Sequence, residues 1–352
     1  MCDNNDLNNQ TFGVGEETNT PPTHQYVTYV PYGLTPEKFE ERKAIKKTSN
    51  TIGISLLIAM TLPKIIAYLL VISLFVLGFS SGKIDSFLND SAVNNFFQII
   101  ISALCFSLPF ILVFNIAGYK VRDLIDFSKP KKNSVLPLFV MGIAFCAFSN
   151  IAITIAGNFF ARFGINYEVD FNDGFKGIFG FLLSVIATAV IPPLIEEFAF
   201  RGVVLGVLRK YGDTFAIIVS SAVFGIMHGN FQQMPFAFLV GLVLAYITVK
   251  SGSIWIAVAV HAFNNAISVV FTALEKVVPT DFLNGTYVIL LVVLLLLGIS
   301  SLLLCKKRDI SYEISESETA SSESEKYKWF FFSVAMIIFI ILMLVESLQY
   351  FV

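Results

Sequence analysis

The chain has 352 residues, of which 55% are apolar or aromatic and only 14% are charged, with a formal net charge of -2. Soluble globular chains carry about 25% charged residues, so this composition points away from a soluble domain, and the near-neutral charge implies no acidic or basic macromolecular partner and no nucleic acid. The apolar residues come in long runs, and a run of about 20 residues is what an α-helix needs to cross a bilayer.

The opening stretch MCDNNDLNNQTFG is polar and has no apolar segment of the kind a cleaved signal peptide needs. The first spanning helix is therefore expected to act as the insertion signal. Residues 1–48 form a polar tail, disordered at first and expected on the cytoplasmic side. Its last part, PEKFEERKAIKK, predicts a helix that meets the membrane surface and anchors topology.

The apolar run at 51–80 exceeds one straight span, and Pro63 and Lys64 interrupt it. Either a short interfacial helix precedes the span or one long helix is kinked there; Lys64 reaches an interface by snorkelling. Further spans are expected at 95–118, 135–161, 178–205, 213–229, 232–249, 253–274 and 286–305. An acidic Ser/Glu linker at 309–327 follows, and a last span and anchor at 328–352. The fold class is thus all-α: a polytopic membrane helix bundle of roughly eight or nine transmembrane helices, with residues 49–308 as its core.

Loop charges orient this bundle. Lys and Arg gather before the first span and after the second, fourth, sixth and eighth, while the intervening loops lack them or are acidic. By the positive-inside rule the N-terminus is cytoplasmic. Cys2, Cys105, Cys146 and Cys305 are sparse and form no C-x-x-C pair, so neither a zinc ribbon nor a dithiol centre is expected.

Ionisable groups inside a bilayer cost several kcal/mol and are usually functional. The span IATAVIPPLIEEFAFRGVVLG carries Glu196, Glu197 and Arg201, SSAVFGIMHGN carries His228, and IWIAVAVHAFNNAISVV carries His261 and Asn265. At about 1.5 Å rise per residue, all of these come to a similar depth near the middle of the membrane. Glu197 and Arg201, four apart, can pair along one helix face. Glu196, rotated by about 100°, is left to face other helices. His261 and Asn265 are also four apart. Pro192 and Pro193 remove backbone donors one turn before the glutamates, and the unpaired carbonyls could receive water or a substrate backbone.

A carboxylate and an imidazole on one water form a general-base pair, and a second imidazole with an amide suits a developing oxyanion. Together they form a hydrolytic site for an acyl carbon, for which a peptide bond is the natural substrate within a membrane cavity. Neither G-x-S-x-G nor a phosphate-binding G-x-x-x-x-G-K-[ST] loop is present.

Glu196 to Gly202 is E-E-x-x-x-R-G, Phe224 to His228 is F-x-x-x-H, and His261 to Asn265 is H-x-x-x-N. This ordered triple, within residues 178–274, resembles the Abi family, also called the CAAX protease and bacteriocin-processing (CPBP) family, which includes the type II CAAX prenyl endopeptidases. The resemblance implies a hydrolase acting by intramembrane proteolysis. It also implies that Glu196 and His228 activate water, that His261 and Asn265 stabilise the oxyanion, and that Glu197 and Arg201 support them. No cofactor is favoured. Zinc is the alternative, held by Glu196, His228 and His261 with water in the fourth position.

Three rivals stand beside this reading: polar glue between helices, a proton-coupled transporter, and a catalytically silent family fold serving as a membrane binding scaffold or bacteriocin-immunity protein. The expected partners are the lipid bilayer and a membrane-associated peptide or protein substrate. The Asn-rich tail and loop style suggest a bacterial plasma membrane, where prenylated proteins are generally lacking.

Overall fold

The structure, a computed structural model, describes residues 30–31, 33–162, 177–308, 310, 313–314 and 319–350. Most of the polar tail, the acidic loop at 163–176 and part of the acidic linker lie outside the described residues. Among the described residues every regular element is helical.

Helix α1, Pro36–Val76, begins where the tail was expected to become helical. Thr35 caps it, accepting from the Lys38 N–H at 3.3 Å, and Pro36 occupies the first turn, where a missing N–H costs nothing. Of the two arrangements expected around Pro63, one long helix is found, with Pro63 inside it. After α2, Ser81–Leu88, come α3, Ser91–Ile116, and α4, Lys132–Ala161. The long helix α5 runs over Gly177–Tyr211 and α6 over Asp213–Ile226. They are followed by α7, Gln233–Ser251, α8, Trp255–Leu274, and α9, Thr280–Lys307. The chain ends in α10, Glu323–Phe331, and α11, Val334–Ser347.

Seven of these helices are long and apolar enough to cross a membrane, or up to eight if the bent pair α10–α11 is one span. Two expected spans differ in form. The segment expected at 213–229 is the 14-residue α6, about 21 Å long and short of a 30 Å hydrocarbon core. It stops early because Gly229 turns the chain with φ +63°, a left-handed conformation. The last segment is broken rather than continuous: α10 and α11 meet at 70°. Both pack on α1. Ser49 of α1 donates to the Phe330 carbonyl at 2.7 Å, and the Asn50 side chain accepts from the Ala335 N–H at 3.0 Å, so α1 supplies the partners that the break exposes. The expected boundary at 327/328 falls inside α10.

Packing depends on close approach, because lipid tails offer no hydrophobic drive between helices. Gly298 of α9 sits against Ala144 of α4 so tightly that an added Cβ would lie 2.3 Å from the Ala144 methyl. Outward-facing residues such as Ile289 and Leu303 are two-thirds exposed, as lipid contact requires. Inside, Phe110, Phe200, Phe215 and Phe224 are buried in one core cluster. This cluster holds α5 and α6 together, while α8 packs on α4, α5 and α7. The polar-bearing faces of α5, α6 and α8 thereby meet.

Candidate active site

Helix α5 is not a regular α-helix. Two π-helical stretches, Val185–Val190 and Phe198–Val204, flank a short α segment, Ile191–Glu197, that contains both prolines and both glutamates. The first follows from the sequence. Pro192 and Pro193 bring no N–H, so the Thr188 carbonyl lacks a donor at both the i+4 and the i+5 position. Ile191 donates instead to the Ile186 carbonyl in the π register. The Thr188 oxygen is satisfied from another helix: the Asn265 side-chain amide of α8 donates to it at 3.1 Å. One of the carbonyls expected to be open to water or substrate is thus occupied by the protein itself.

Glu197 and Arg201 are both buried, at 0% and 2% exposure, and Arg201 Nη1 lies 3.1 Å from Glu197 Oε1. The guanidinium also donates to the Gly241 carbonyl at 3.4 Å and lies 4.3 Å over the Phe224 ring. Arg201 Nε and Nη1 have no directed hydrogen bond, so the pairing with Glu197 is mainly electrostatic, helped by the ring. Sequence spacing pointed to this pair, but not to its further partner: Glu197 Oε1 also accepts from His261 Nδ1 at 2.8 Å. That bond makes Nδ1 a donor and turns Nε2 toward Glu196, whose Oε2 is 3.8 Å away.

His228 lies just past the end of α6. Its Nδ1 donates to the Phe224 carbonyl at 2.9 Å, leaving Nε2 as the free nitrogen of the neutral ring. Asn230, 3% exposed, holds the turn that follows: it accepts from the Gln233 N–H at 2.7 Å and donates to the His228 carbonyl at 3.2 Å. Sequence reasoning passed over Asn230. Its signal was that of an N-cap, an Asn three residues ahead of the first turn of α7. Phe224 is a shared wall, with the rings of His228 and His261 edge-on at 5.0 and 5.9 Å.

Glu196, His228, His261 and Asn265 all line one cavity of about 640 Å³. Glu197 and Arg201 stand behind them and do not line it. The side chain of Glu196 is 20% exposed, whereas that of Glu197 is 0%, so the neighbouring carboxylates face a cavity and a packed core respectively. A site with two imidazoles, a carboxylate and an amide on one cavity can accept a proton from water and donate to an oxygen. Among the described residues no three His, Cys, Asp or Glu side chains gather as a metal-holding group.

Residues 178–267 match the family model described as type II CAAX prenyl endopeptidase Rce1-like. The chain is 30% identical over 96 residues to "Putative membrane peptidase YdiL" of Bacillus subtilis (strain 168), a match covering 27% of this chain and 39% of that one. It is 30% identical over 105 residues to the membrane-embedded CAAX protease MroQ of Staphylococcus aureus (strain USA300), covering 28% and 40%. The chain thus spans about two fifths of the length of these curated relatives. No solved structure matches the chain.

Proposed function

From the premise that residues 178–267 are an Abi/CPBP-family segment within an integral membrane helix bundle, we propose that the chain is an intramembrane endopeptidase. Its substrate is a membrane-associated peptide or protein, and its site is Glu196, His228, His261 and Asn265. The observation that carries this reading is that Glu196 of α5, His228 just past α6, and His261 and Asn265 of α8 line one cavity.

In this mechanism a water bound between Glu196 and His228 gives its proton to Glu196 as its oxygen attacks the carbonyl carbon of the scissile bond. The carbonyl π pair moves onto oxygen. One amide hydrogen of Asn265 is committed to Thr188, so its second hydrogen meets the oxyanion. His261 can donate from Nε2 only as the imidazolium, since its Nδ1–H is already given to Glu197; the buried Glu197 carboxylate is suited to hold that charged form. On collapse the C–N bond breaks, and the proton held by Glu196 passes to the leaving amine. Arg201 balances Glu197. No step runs through a metal.

The bacterial relatives favour a bacterial plasma membrane, and the positive-inside pattern a cytoplasmic N-terminus. The test compares wild type with Glu196→Gln in nanodiscs against quenched membrane-partitioning peptides. Cleavage should fall by roughly 10²–10⁴-fold with the fold retained. Equal cleavage by both proteins would remove Glu196 from the chemistry. No cleavage of such peptides, or of membrane extracts, would move the reading to a silent scaffold.

A further inference from the structure

The cavity does not end at the four residues named above. Along α8, Asn264, Ser268, Thr272 and Glu275 line it as well. Together with His261 and Asn265 they recur at steps of three and four, which places them on one face of the helix. Ile267 and Phe271 of the same helix also line the cavity, so the α8 wall is a polar stripe edged by apolar side chains. At about 1.5 Å per residue it runs about 21 Å from His261 to Glu275.

The facing wall has the opposite character. Leu290, Leu291 and Leu294 of α9 line the cavity, with Asn284 and Tyr287 toward the Glu275 end. A trough in which polar groups, Asn150, Thr154 and Gln233 among them, alternate with apolar walls suits an extended peptide, whose backbone needs partners when taken out of water. Its length corresponds to about six residues at about 3.3 Å each.

Histidines apart, the ionisable side chains described in the trough are acidic. Glu196 and Glu275 are its carboxylates, and no Lys or Arg is among the described residues that line it. Lys276, next to Glu275 in the chain, lies outside the lining. Glu275 is exposed, at the end of α8. A cleft with carboxylates and low-dielectric walls focuses a negative field and raises the local concentration of cations.

We propose that the polar stripe of α8 is the track along which an extended substrate lies, and that Glu275 selects a Lys or Arg side chain about six residues from the cleaved bond. This deepens the proteolytic reading and rests on it for the meaning of the track. The charge selectivity is a property of the cavity and can be measured without turnover.

The first measurement therefore needs no catalysis. Ser268→Cys and Thr272→Cys are placed singly in a chain whose four native cysteines are replaced, because Cys146 also lines the cavity. Each is reacted with a cationic and an anionic methanethiosulfonate of similar size. The cationic reagent should react faster by about tenfold or more, Glu275→Gln should shrink the ratio, and Glu275→Lys should invert it. Equal rates with both reagents, or a ratio that Glu275→Lys leaves unchanged, would overturn the proposal.

The second measurement uses quenched apolar peptides carrying a single Lys or Glu at successive positions on both sides of the cleaved bond. Wild type should prefer Lys at a position about six residues away, and Glu275→Lys should reverse that preference. A preference that ignores Glu275 would overturn the track. If no peptide shows Glu196-dependent cleavage, the proteolytic reading fails, and the thiol ratio still decides the charge selectivity.

Discussion

Asn265 donates its side-chain amide to the Thr188 carbonyl at 3.1 Å, and that carbonyl is the one Pro192 and Pro193 leave without a helical donor. The H-x-x-x-N helix and the Pro-Pro break of the glutamate helix are therefore complementary parts of one joint. This relationship gives Asn265 a positioning role beside its proposed role at the oxyanion, and the two can be separated.

Asn265→Ala should leave a buried carbonyl unsatisfied and destabilise the protein by about 1–3 kcal/mol. Adding Pro192→Ala returns a backbone N–H to the i+4 position, so the double variant should recover most of the thermal stability in detergent. If Asn265 also meets the oxyanion, peptide cleavage should remain depressed by roughly 10²–10³-fold in the double variant. Recovery of both properties would reduce Asn265 to a structural residue.

The Glu197–Arg201–His261 cluster makes a second prediction. Removing one partner of a buried ion pair typically costs about 3–5 kcal/mol, whereas replacing both by apolar residues can be nearly neutral. Glu197→Gln alone should therefore lower the unfolding temperature and the yield of monodisperse protein. Glu197→Leu with Arg201→Met should restore folding but not cleavage, because His261 has lost the acceptor that orients its ring. Full activity in the folded double variant would show that Glu197 only balances Arg201.

Asn230 is expected to act through His228. Asn230→Ala deletes the bonds that fix the turn after His228 and should cost about 1 kcal/mol of stability. Cleavage should show a lower kcat with little change in KM, since substrate contacts along α8 are untouched. A rise in KM at constant kcat would place Asn230 in substrate binding instead.

Metal removal gives a further test. Among the described residues no three His, Cys, Asp or Glu side chains stand close enough to hold a metal ion. Glu196-dependent cleavage should thus survive chelators in full. Activity lost to a chelator and restored by zinc would reinstate Glu196, His228 and His261 as ligands.

The C-terminal pair α10–α11 lies outside the family-matched segment, yet it is joined to the core. Lys326, 1% exposed, donates to the Tyr211 carbonyl at 2.7 Å at the end of α5, and pairs with Glu323. Lys326→Met should lower the unfolding temperature and increase proteolysis between α9 and α10, with the Glu196 dependence of cleavage retained.

The amino-acid sequence by itself determined the membrane character, the helical class, and the motif residues Glu196, Glu197, Arg201, His228, His261 and Asn265, because an ionisable group within an apolar run stands out against the cost of burying it. It also carried the Glu197–Arg201 pairing, since spacing along one helix is local information. Tertiary structure decided what depends on helices far apart in the chain. The hydrogen bond that His261 donates to the Glu197 carboxylate, the filling of the Thr188 carbonyl by Asn265, and the placing of the α8 polar stripe on one cavity all need the relative rotation of packed helices. Close approaches such as Gly142 of α4 against Val260 of α8 help to set that rotation, and no periodicity within a single segment encodes them. The shortness of α6 and the break between α10 and α11 were hidden for a related reason: apolar runs mark where a helix can lie, while a left-handed glycine and side chains offered by α1 determine where it stops.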